Sequence, residues 1–132
     1  MASNGGKNVC PTGWHVPTDA EWTTLTTYLG GESVAGGKLK ETGTTHWTTP
    51  NTGATNETGF LALPGGGRAI DFNGTFYAIE AAGCWWSSTV HLPTDHYPAV
   101  DAFYRFMYYN DSRVRRDYCS KHYGSSVRCI RD

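Results

Sequence analysis

The clearest periodic pattern in the chain predicts an amphipathic helix that begins after Thr18. Thr18 and Glu21 have the spacing of a capping box, in which each side chain accepts the other residue's backbone N–H. Gly30 and Gly31 end the helix, because glycine adopts the left-handed cap conformation without strain. Apolar side chains recur at three- and four-residue spacing and are expected to form one buried stripe, made of Trp22, Leu25, Tyr28 and Leu29.

Weaker patterns flank this helix on both sides. Before it, alternation predicts that Trp14 and Val16 face the core. His15 between them has no second ligand at a usable spacing, so we interpret it as a structural, hydrogen-bonding histidine and expect no metal there. After the first helix, Ser33 is a candidate cap for a second, shorter helix, which two glycines interrupt.

Residues 42–59 are rich in Thr, Gly and Asn and predict a long loop. We expect Trp47 to hold this loop by inserting into the core. Asn51, Asn56 and Glu57 offer oxygen atoms that suit calcium, but the loop lacks the D-x-D-x-D-G pattern of a calcium loop. We therefore predict no cofactor, with calcium as the alternative.

The next part of the chain predicts short strands. Residues 59–64 are a short apolar run that indicates a strand, and Asn73-Gly74 is typical of a hairpin turn. Trp85 and Trp86 are adjacent in a further predicted strand and must point to opposite faces. One of them is therefore expected in the core and the other nearer a ligand.

Composition limits the architecture and the partners. With 132 residues, the chain is expected to form a single domain over 1–132, with residues 1–8 as a linker or flexible start. The formal net charge of -1 gives no indication of a nucleic-acid partner. No apolar run approaches the length of about 20 residues that crosses a bilayer, and no signal peptide is recognisable, so no membrane insertion is expected.

The four cysteines lack the C-x-x-C spacing of zinc ribbons. Cys10 and Cys129 lie near the two ends, so a bond between them would close nearly the whole chain into a loop and stabilise the fold by roughly 4–5 kcal/mol. Cys84 and Cys119 either pair with each other or remain thiols. Disulfides are favoured only if the protein is exported.

The last third of the chain is unusually aromatic, with six of the eight tyrosines after residue 90. Tyrosine gives a large, adaptable contact area at low entropic cost, which is typical of binding surfaces. Since only one face of a half-buried strand is covered, we predict that Tyr104, Phe106 and Tyr108 are displayed and that Met107 lies inside. The alternative is that these rings simply belong to core strands.

Five spaced motifs together resemble one known family, the Fibrobacter succinogenes major paralogous domain family. They read C-P-T-G-W-H-V-P-T-D-A-E-W from residue 10, G-G-K-L-K-E-T-G-T-T-H-W from residue 36, N-E-T-G-F-L-A-L-P-G from residue 56, W-W-S-S-T from residue 85 and S-V-R-C-I-R-D from residue 126. The resemblance covers nearly the whole chain. It implies an α+β domain of the C-type-lectin-like, formylglycine-generating-enzyme-like fold, with two helices, small antiparallel sheets, much loop and adjacent termini. It also supports the pairing of Cys10 with Cys129, whereas Cys84 and Cys119 lie outside the family's pattern.

One use of this fold implies a specific function. Variable proteins of diversity-generating retroelements carry such a domain, and mutation at template adenines rewrites their C-terminal segment. Residues 90–127 contain no Glu and no Trp, one Lys and one Met, which agrees with the products of that process. We call the residues expected to stay fixed the framework: Ala102, Arg105, Met107, Ser112, Val114, Arg116, Lys121, Gly124 and Val127. The displayed set, expected to bind ligand, is His96, Tyr97, Asp101, Phe103, Tyr104, Phe106, Tyr108, Tyr109, Asp111, Arg113, Arg115, Asp117, Tyr118, His122 and Tyr123.

The sequence therefore favours a non-catalytic binding module over an enzyme. Its expected partner is a protein or glycan on a cell or phage-host surface, and its expected location is extracellular, on a cell surface or on a virion. A glycan-binding adhesion domain is the alternative, with sugars stacked on Trp85, Trp86 or a later tyrosine. A formylglycine-generating type of oxidase is less favoured, because Cys84 and Cys119 lie in no recognisable catalytic motif.

Overall fold

The computed structural model describes residues 9–69, 73–92 and 100–132. The predicted linker at 1–8 and the displayed residues His96 and Tyr97 lie outside the described residues. The described part contains two helices and small antiparallel sheets joined by long loops, which confirms the predicted α+β class, and neither helix has the length and apolar character to span a membrane. The elements are β1 (Trp14–His15), α1 (Asp19–Tyr28), α2 (Glu32–Leu39), β2 (Gly67–Arg68), β3 (Phe76–Tyr77), β4 (Ala82–His91), β5 (Asp101–Tyr108), β6 (Arg115–Ser120) and β7 (Ile130–Arg131).

Helix α1 has the predicted bounds but a different buried face. The backbone N–H of Glu21 donates to Thr18 Oγ1 at 3.2 Å and that of Thr18 donates to Glu21 Oε2 at 2.8 Å, so the capping box is present. Tyr28, predicted to lie in the apolar stripe, is 85% exposed, while Thr26 is buried with its hydroxyl donating to Thr23 O. The prediction for Tyr28 is wrong because periodicity shows which residues share a face, not how far the neighbouring segments cover it.

Helix α2 includes Ser33, which is therefore not its cap. The helix packs very closely against two loops. A Cβ atom added at Gly36 would lie 2.4 Å from the carbonyl oxygen of Arg113, and one added at Gly37 would lie 2.3 Å from that of Gly53. The glycines that weaken the helical pattern in the sequence are thus required by the approach of one backbone to another.

The two ends of the described chain meet. Strand β1 pairs antiparallel with β7, and Cys10 forms a disulfide with Cys129 across a Cα–Cα distance of 5.8 Å. This is the pairing that the family resemblance supports. Val16 is buried as predicted, but Trp14 is 42% exposed, so the prediction for Trp14 is wrong. Strand alternation fixes the side to which a residue points, but not whether another layer covers that side.

The core lies between helix α1, helix α2 and the sheet that contains β4. Trp47 is 1% exposed and its Nε1 donates to the carbonyl of Ala62 at 3.0 Å, which confirms that it holds the long loop. The strand predicted over residues 59–64 is reduced to a single bridge between Lys40 and Ala62. Leu61 has a φ of 55°, and this left-handed conformation interrupts an extended strand. The buried cluster comprises Trp22, Leu29, Ala35, Leu39, Trp47, Ala62, Trp85, Met107 and Val114.

Strands β2 and β3 form a hairpin, but its register differs from the predicted two-residue turn at Asn73-Gly74. That turn would place Phe76 opposite residue 71, whereas Phe76 pairs with Arg68, so the connection is longer and the predicted turn is wrong. Asn73 and Gly74 both have positive φ values, of 53° and 74°. Gly67 pairs with Tyr77 in the register of this small sheet.

Candidate functional site

The predicted binding segment forms β5 and β6 of a three-stranded sheet with the order β4-β5-β6. Successive side chains of β5 point to opposite faces of this sheet. On one face, aromatic rings follow one another with centroid separations of 6.0, 5.3 and 5.5 Å. We call these residues the ring row: Trp86, Tyr104, Phe106 and Tyr108.

Accessibility increases along the ring row. Trp86 is 5% exposed, Tyr104 and Phe106 are half-buried, and Tyr108 is 39% exposed. On β6, Asp117 is the partner of Tyr104 and Arg115 is the partner of Phe106. The row therefore presents an apolar strip with charged groups along one side.

The opposite face of β5 packs on the core. Arg105 is fully buried, and its Nη1 donates to Asp19 Oδ1 at 2.6 Å while its Nη2 donates to Thr23 Oγ1 at 3.0 Å. Arg116 adds three hydrogen bonds of 3.0 Å to the same carboxylate. Burial opposes ionisation of Asp19, but the hydrogen bonds from Arg116 and Arg105 outweigh it and hold its pKa below the usual value. These contacts fasten the sheet to the start of α1.

A second aromatic group lies toward the start of β5. The ring of His91 stacks on Tyr118 with centroids 3.7 Å apart, and it meets Phe103 edge-on at 5.2 Å. The Arg116 guanidinium lies 3.9 Å from the centre of the Phe103 ring. The displayed residues Phe103 and Tyr118 therefore lie beside each other, in a cluster separate from the ring row.

The turn between β5 and β6, together with the first residue of β6, carries three of the predicted charged residues. Asp111 Oδ2 accepts hydrogen bonds from Arg113 Nε and Arg115 Nη2, both at 2.8 Å. Burial opposes ionisation of Asp111, yet the hydrogen bonds from Arg115 and Arg113 lower its pKa below the usual value. The two arginines are thus paired locally with the same carboxylate.

The side chain of Lys40 anchors this turn through its backbone. It is fully buried, and its Nζ donates to the backbone carbonyls of Thr52 at 3.0 Å, Tyr108 at 3.0 Å and Asp111 at 2.9 Å. Burial lowers the pKa of Lys40 to about 8, and the negative charge of Asp111 opposes that shift. Three backbone hydrogen bonds also attach the turn to earlier parts of the chain: Thr52 N to Tyr109 O at 2.7 Å, Gly37 N to Ser112 O at 3.0 Å, and Val114 N to Glu32 O at 2.9 Å.

The remaining displayed residues lie around the edges of the sheet. Asp101 is half-buried and pairs with Ser120 across β5 and β6. His122 is exposed, with its Nδ1 3.1 Å from Ser120 Oγ. Tyr123 is half-buried and lines a cavity together with Tyr77, while Tyr109 packs partly against the core. These positions do not form one compact pocket with the ring row.

Burial separates the two predicted sets along β5 but not over the whole segment. All displayed residues in the described part of the chain are half-buried or exposed. Met107 is fully buried, as predicted, and so are three other framework residues, Ala102, Arg105 and Val114. The other five framework residues are not buried: Ser112, Lys121, Gly124 and Val127 are half-buried, and Arg116 is exposed at the surface while pairing with Asp19.

Sequence reasoning missed two residues that organise the site. In the sequence, Asp19 is only the residue that follows the predicted cap Thr18, but in the structure it pairs with Arg105 and Arg116. Lys40 gives no signal in the sequence, because a lysine that binds backbone carbonyls needs no complementary side chain at a fixed spacing. Trp86 was assigned correctly to the face opposite Trp85.

The remaining thiols are poorly suited to redox catalysis. Cys84 and Cys119 are not joined to each other, and burial raises the pKa of each to about 11. A reactive cysteine needs a lowered pKa, since the thiolate is the nucleophile. Both thiols are therefore protonated near neutral pH.

The oxygen donors considered for calcium are dispersed. Asn51 is buried and donates to the carbonyls of Glu41 and Gly43, Asn56 accepts from the Leu61 N–H, and Glu57 pairs with Lys38. Within residues 9–69, 73–92 and 100–132, no cluster of three or more His, Cys, Asp or Glu side chains has a geometry that could hold a metal ion.

Comparison with known proteins gives one relationship. The family model described as the Fibrobacter succinogenes major domain matches residues 1–131. Searches of curated proteins and of solved structures found no match.

Proposed function

The chain belongs to the Fibrobacter succinogenes major domain family, and from this membership and the exposed aromatic sheet we propose that it is a non-catalytic ligand-binding module. In this proposal the scaffold is C-type-lectin-like. Residues 90–127 are its hypervariable segment, of the kind found in diversity-generating retroelement variable proteins. The ligand is a protein or glycan on a cell or phage-host surface.

The separation of displayed from framework residues along β5 carries this proposal. Along β5, Ala102, Arg105 and Met107 are buried, whereas every displayed side chain of the strand is half-buried or exposed. A strand that served only the core would bury its aromatic rings, since rings contribute most of the burial energy. The rings left at the surface provide contact area for a partner.

The attachment of the β5–β6 turn gives independent support. Lys40 reaches Tyr108 and Asp111 through their carbonyl oxygens, which every amino acid possesses. The bonds from Thr52 to Tyr109 and from Gly37 to Ser112 likewise use only backbone atoms of the turn. Replacement of the side chains at 108, 109 or 111 would leave these hydrogen bonds in place. Such anchoring suits a segment whose side chains change while its backbone is retained.

The oxidase alternative receives no support from the thiols, because Cys84 and Cys119 are kept protonated by burial. The array screen described below distinguishes a protein ligand from a glycan ligand. Stacking on Tyr108 suits a sugar as well as a protein side chain.

The genetic part of the proposal is tested in the DNA around the gene. We expect a reverse-transcriptase gene and a near-repeat of the sequence that encodes residues 86–129. Sibling copies should differ at displayed positions such as Tyr104 and Tyr108 and agree at Arg105 and Met107. Variation at the displayed positions no greater than that at Trp22 or Trp47 would refute the display hypothesis.

The binding part is tested by screening the protein against glycan and protein arrays, with and without calcium. If a ligand binds through the ring row, the Tyr104→Ala and Tyr108→Ala variants should bind it at least about tenfold more weakly. This corresponds to a loss of about 1.4 kcal/mol or more of binding free energy. Tyr28→Ala is the matched control, because Tyr28 is an exposed tyrosine on helix α1. Equal binding by all three variants would place the ligand elsewhere and contradict the proposal.

A further inference from the structure

A separate cavity lies between helix α1, Phe60 and the C-terminal residues. Its volume is about 420 Å³, which is within the range of small-molecule sites. None of its lining residues belongs to residues 90–127, so it is distinct from the proposed variable surface. Its wall includes Trp22, Leu25, Tyr28, Phe60, Arg128 and Ile130.

The floor of this cavity is part of the packed core. The Phe60 ring centre lies 5.8 Å from that of Trp22 and 6.2 Å from that of Trp85. Tyr28 is exposed at the rim. Since the aromatic floor is already fixed by packing, a flat apolar ligand would lose little affinity to the ordering of side chains.

Arg128 adds a positive charge at the edge of this apolar floor. Its guanidinium lies 4.4 Å from the Phe60 ring centre. Among the residues that the structure describes, no carboxylate forms an ion pair with Arg128. A guanidinium stacked on a ring keeps its N–H edges available for a carboxylate in a two-bonded arrangement.

Glu21 is the other charged residue in the lining, and its carboxylate is already engaged. One oxygen lies 3.0 Å from His15 Nε2, and the other accepts the backbone N–H and the hydroxyl of Thr18 at 2.8 Å. The unmatched charge of the cavity is therefore positive, and it lies beside an aromatic surface.

We propose that this cavity binds a small aromatic carboxylate, with its ring against Trp22, Leu25 and Phe60 and its carboxylate paired with Arg128. Charge complementarity distinguishes such an acid from a neutral molecule with the same ring. The site does not depend on the proposed variable surface, because the two share no residues.

The test uses 2-naphthoate as the probe and 2-naphthalenemethanol as its neutral counterpart, titrated by calorimetry and by tryptophan fluorescence. Wild-type protein should bind the acid at least about tenfold more tightly than the alcohol, as expected for one charge-assisted pair. Arg128→Gln should remove this preference. Arg131→Gln is the matched control, since Arg131 is an exposed arginine of β7 that does not line the cavity, and it should bind as wild type does.

A second variant keeps the test decisive if Arg128→Gln impairs folding. Leu25→Trp retains Arg128 but fills the cavity, and it should abolish binding of the acid. The proposal is overturned if the wild type does not bind naphthoate, if acid and alcohol bind equally, or if Leu25→Trp binds as wild type does. None of these outcomes changes the array result expected for the ring-row variants. The cavity proposal and the proposed binding function can therefore be refuted independently.

Discussion

Two buried cations, Lys40 and Arg105, stabilise the sheet in different ways. Arg105 depends on a specific side chain, because its guanidinium pairs with the Asp19 carboxylate. Lys40 depends on chain path alone, because its three acceptors are backbone carbonyls. The first arrangement requires two residues to be kept together, whereas the second tolerates any side chain at its acceptor positions Tyr108 and Asp111.

Replacement of Lys40 by methionine should lower the free energy of unfolding by about 2 kcal/mol or more, because three backbone carbonyls lose the buried ammonium group that donates to them. Denaturant unfolding of the oxidised protein measures this change. Lys38→Met is the matched control, since Lys38 lies in the last turn of α2, two residues before Lys40, and forms only a partly exposed pair with Glu57. Its effect should stay within about 0.5 kcal/mol. A similar small loss for Lys40→Met would show that the carbonyls do not need the ammonium group.

His15 should make stability depend on pH. Its Nδ1 lies 2.6 Å from Asp132 and its Nε2 lies 3.0 Å from Glu21, and hydrogen bonds to Asp132 and then Glu21 raise its pKa above the usual value. The native state therefore retains a proton that the unfolded chain releases near pH 6.5. The resulting stabilisation is complete below about pH 6.5 and disappears as the pH rises through the raised pKa of the folded state.

Unfolding measured from about pH 6 to pH 9 checks this sign, in a window above the titration of ordinary carboxylates. The stability difference between wild type and His15→Gln should be largest at the acidic end and shrink as the pH rises. Asp132→Asn retains the histidine but removes one of its two carboxylate partners, so it should show a smaller pH dependence than wild type. An identical pH profile for wild type and His15→Gln would contradict the assignment.

At the scale of elements, the sequence predicts where a helix begins and ends, but it does not predict which side chains other elements bury. The bounds of α1 follow from Thr18, Glu21 and the two glycines because capping involves residues within one turn. The exposure of Tyr28 and Trp14 depends on which distant segments cover them, and one sequence does not contain that information. For the same reason the alternation of Tyr104 with Arg105 was predictable, whereas the contact of Arg105 with Asp19 was not.

Helix α2 illustrates this limit and leads to a prediction. In an exposed helix, Gly→Ala stabilises by about 1 kcal/mol. Gly36→Ala should instead destabilise by about 1–3 kcal/mol, because its new methyl group would lie 2.4 Å from the carbonyl oxygen of Arg113. Thermal and denaturant unfolding give the magnitude. Ser33→Ala, at an exposed position of the same helix, should change stability by less than about 0.5 kcal/mol. A stabilising Gly36→Ala would mean that the helix and the β5–β6 turn can separate without cost.

At the scale of the whole molecule, one set of contacts joins the two ends of the described chain and another holds the three-stranded sheet in place. The Cys10–Cys129 disulfide and the β1–β7 pair close the domain at the ends of its described chain. The Arg105–Asp19 pair fastens the sheet to α1, and Lys40 fixes the turn between β5 and β6. None of these attachments uses a side chain of the displayed set. The displayed side chains therefore contribute little to holding the fold, and their replacement should be tolerated.

Two matched libraries test this division. One randomises the framework residues Ala102, Arg105, Met107 and Val114, which are all buried, and the other randomises four accessible residues of the same segment, Tyr104, Phe106, Tyr108 and Arg115. Each library is presented on phage, and the fraction of clones that survives protease treatment measures the fraction that folds. We expect at least about ten times more survivors in the second library, because changes at buried positions leave cavities or unpaired charges while those at the surface do not. Comparable survival in both libraries would mean that the accessible rings hold the sheet together. The residues of the second library could then not vary freely between sibling proteins.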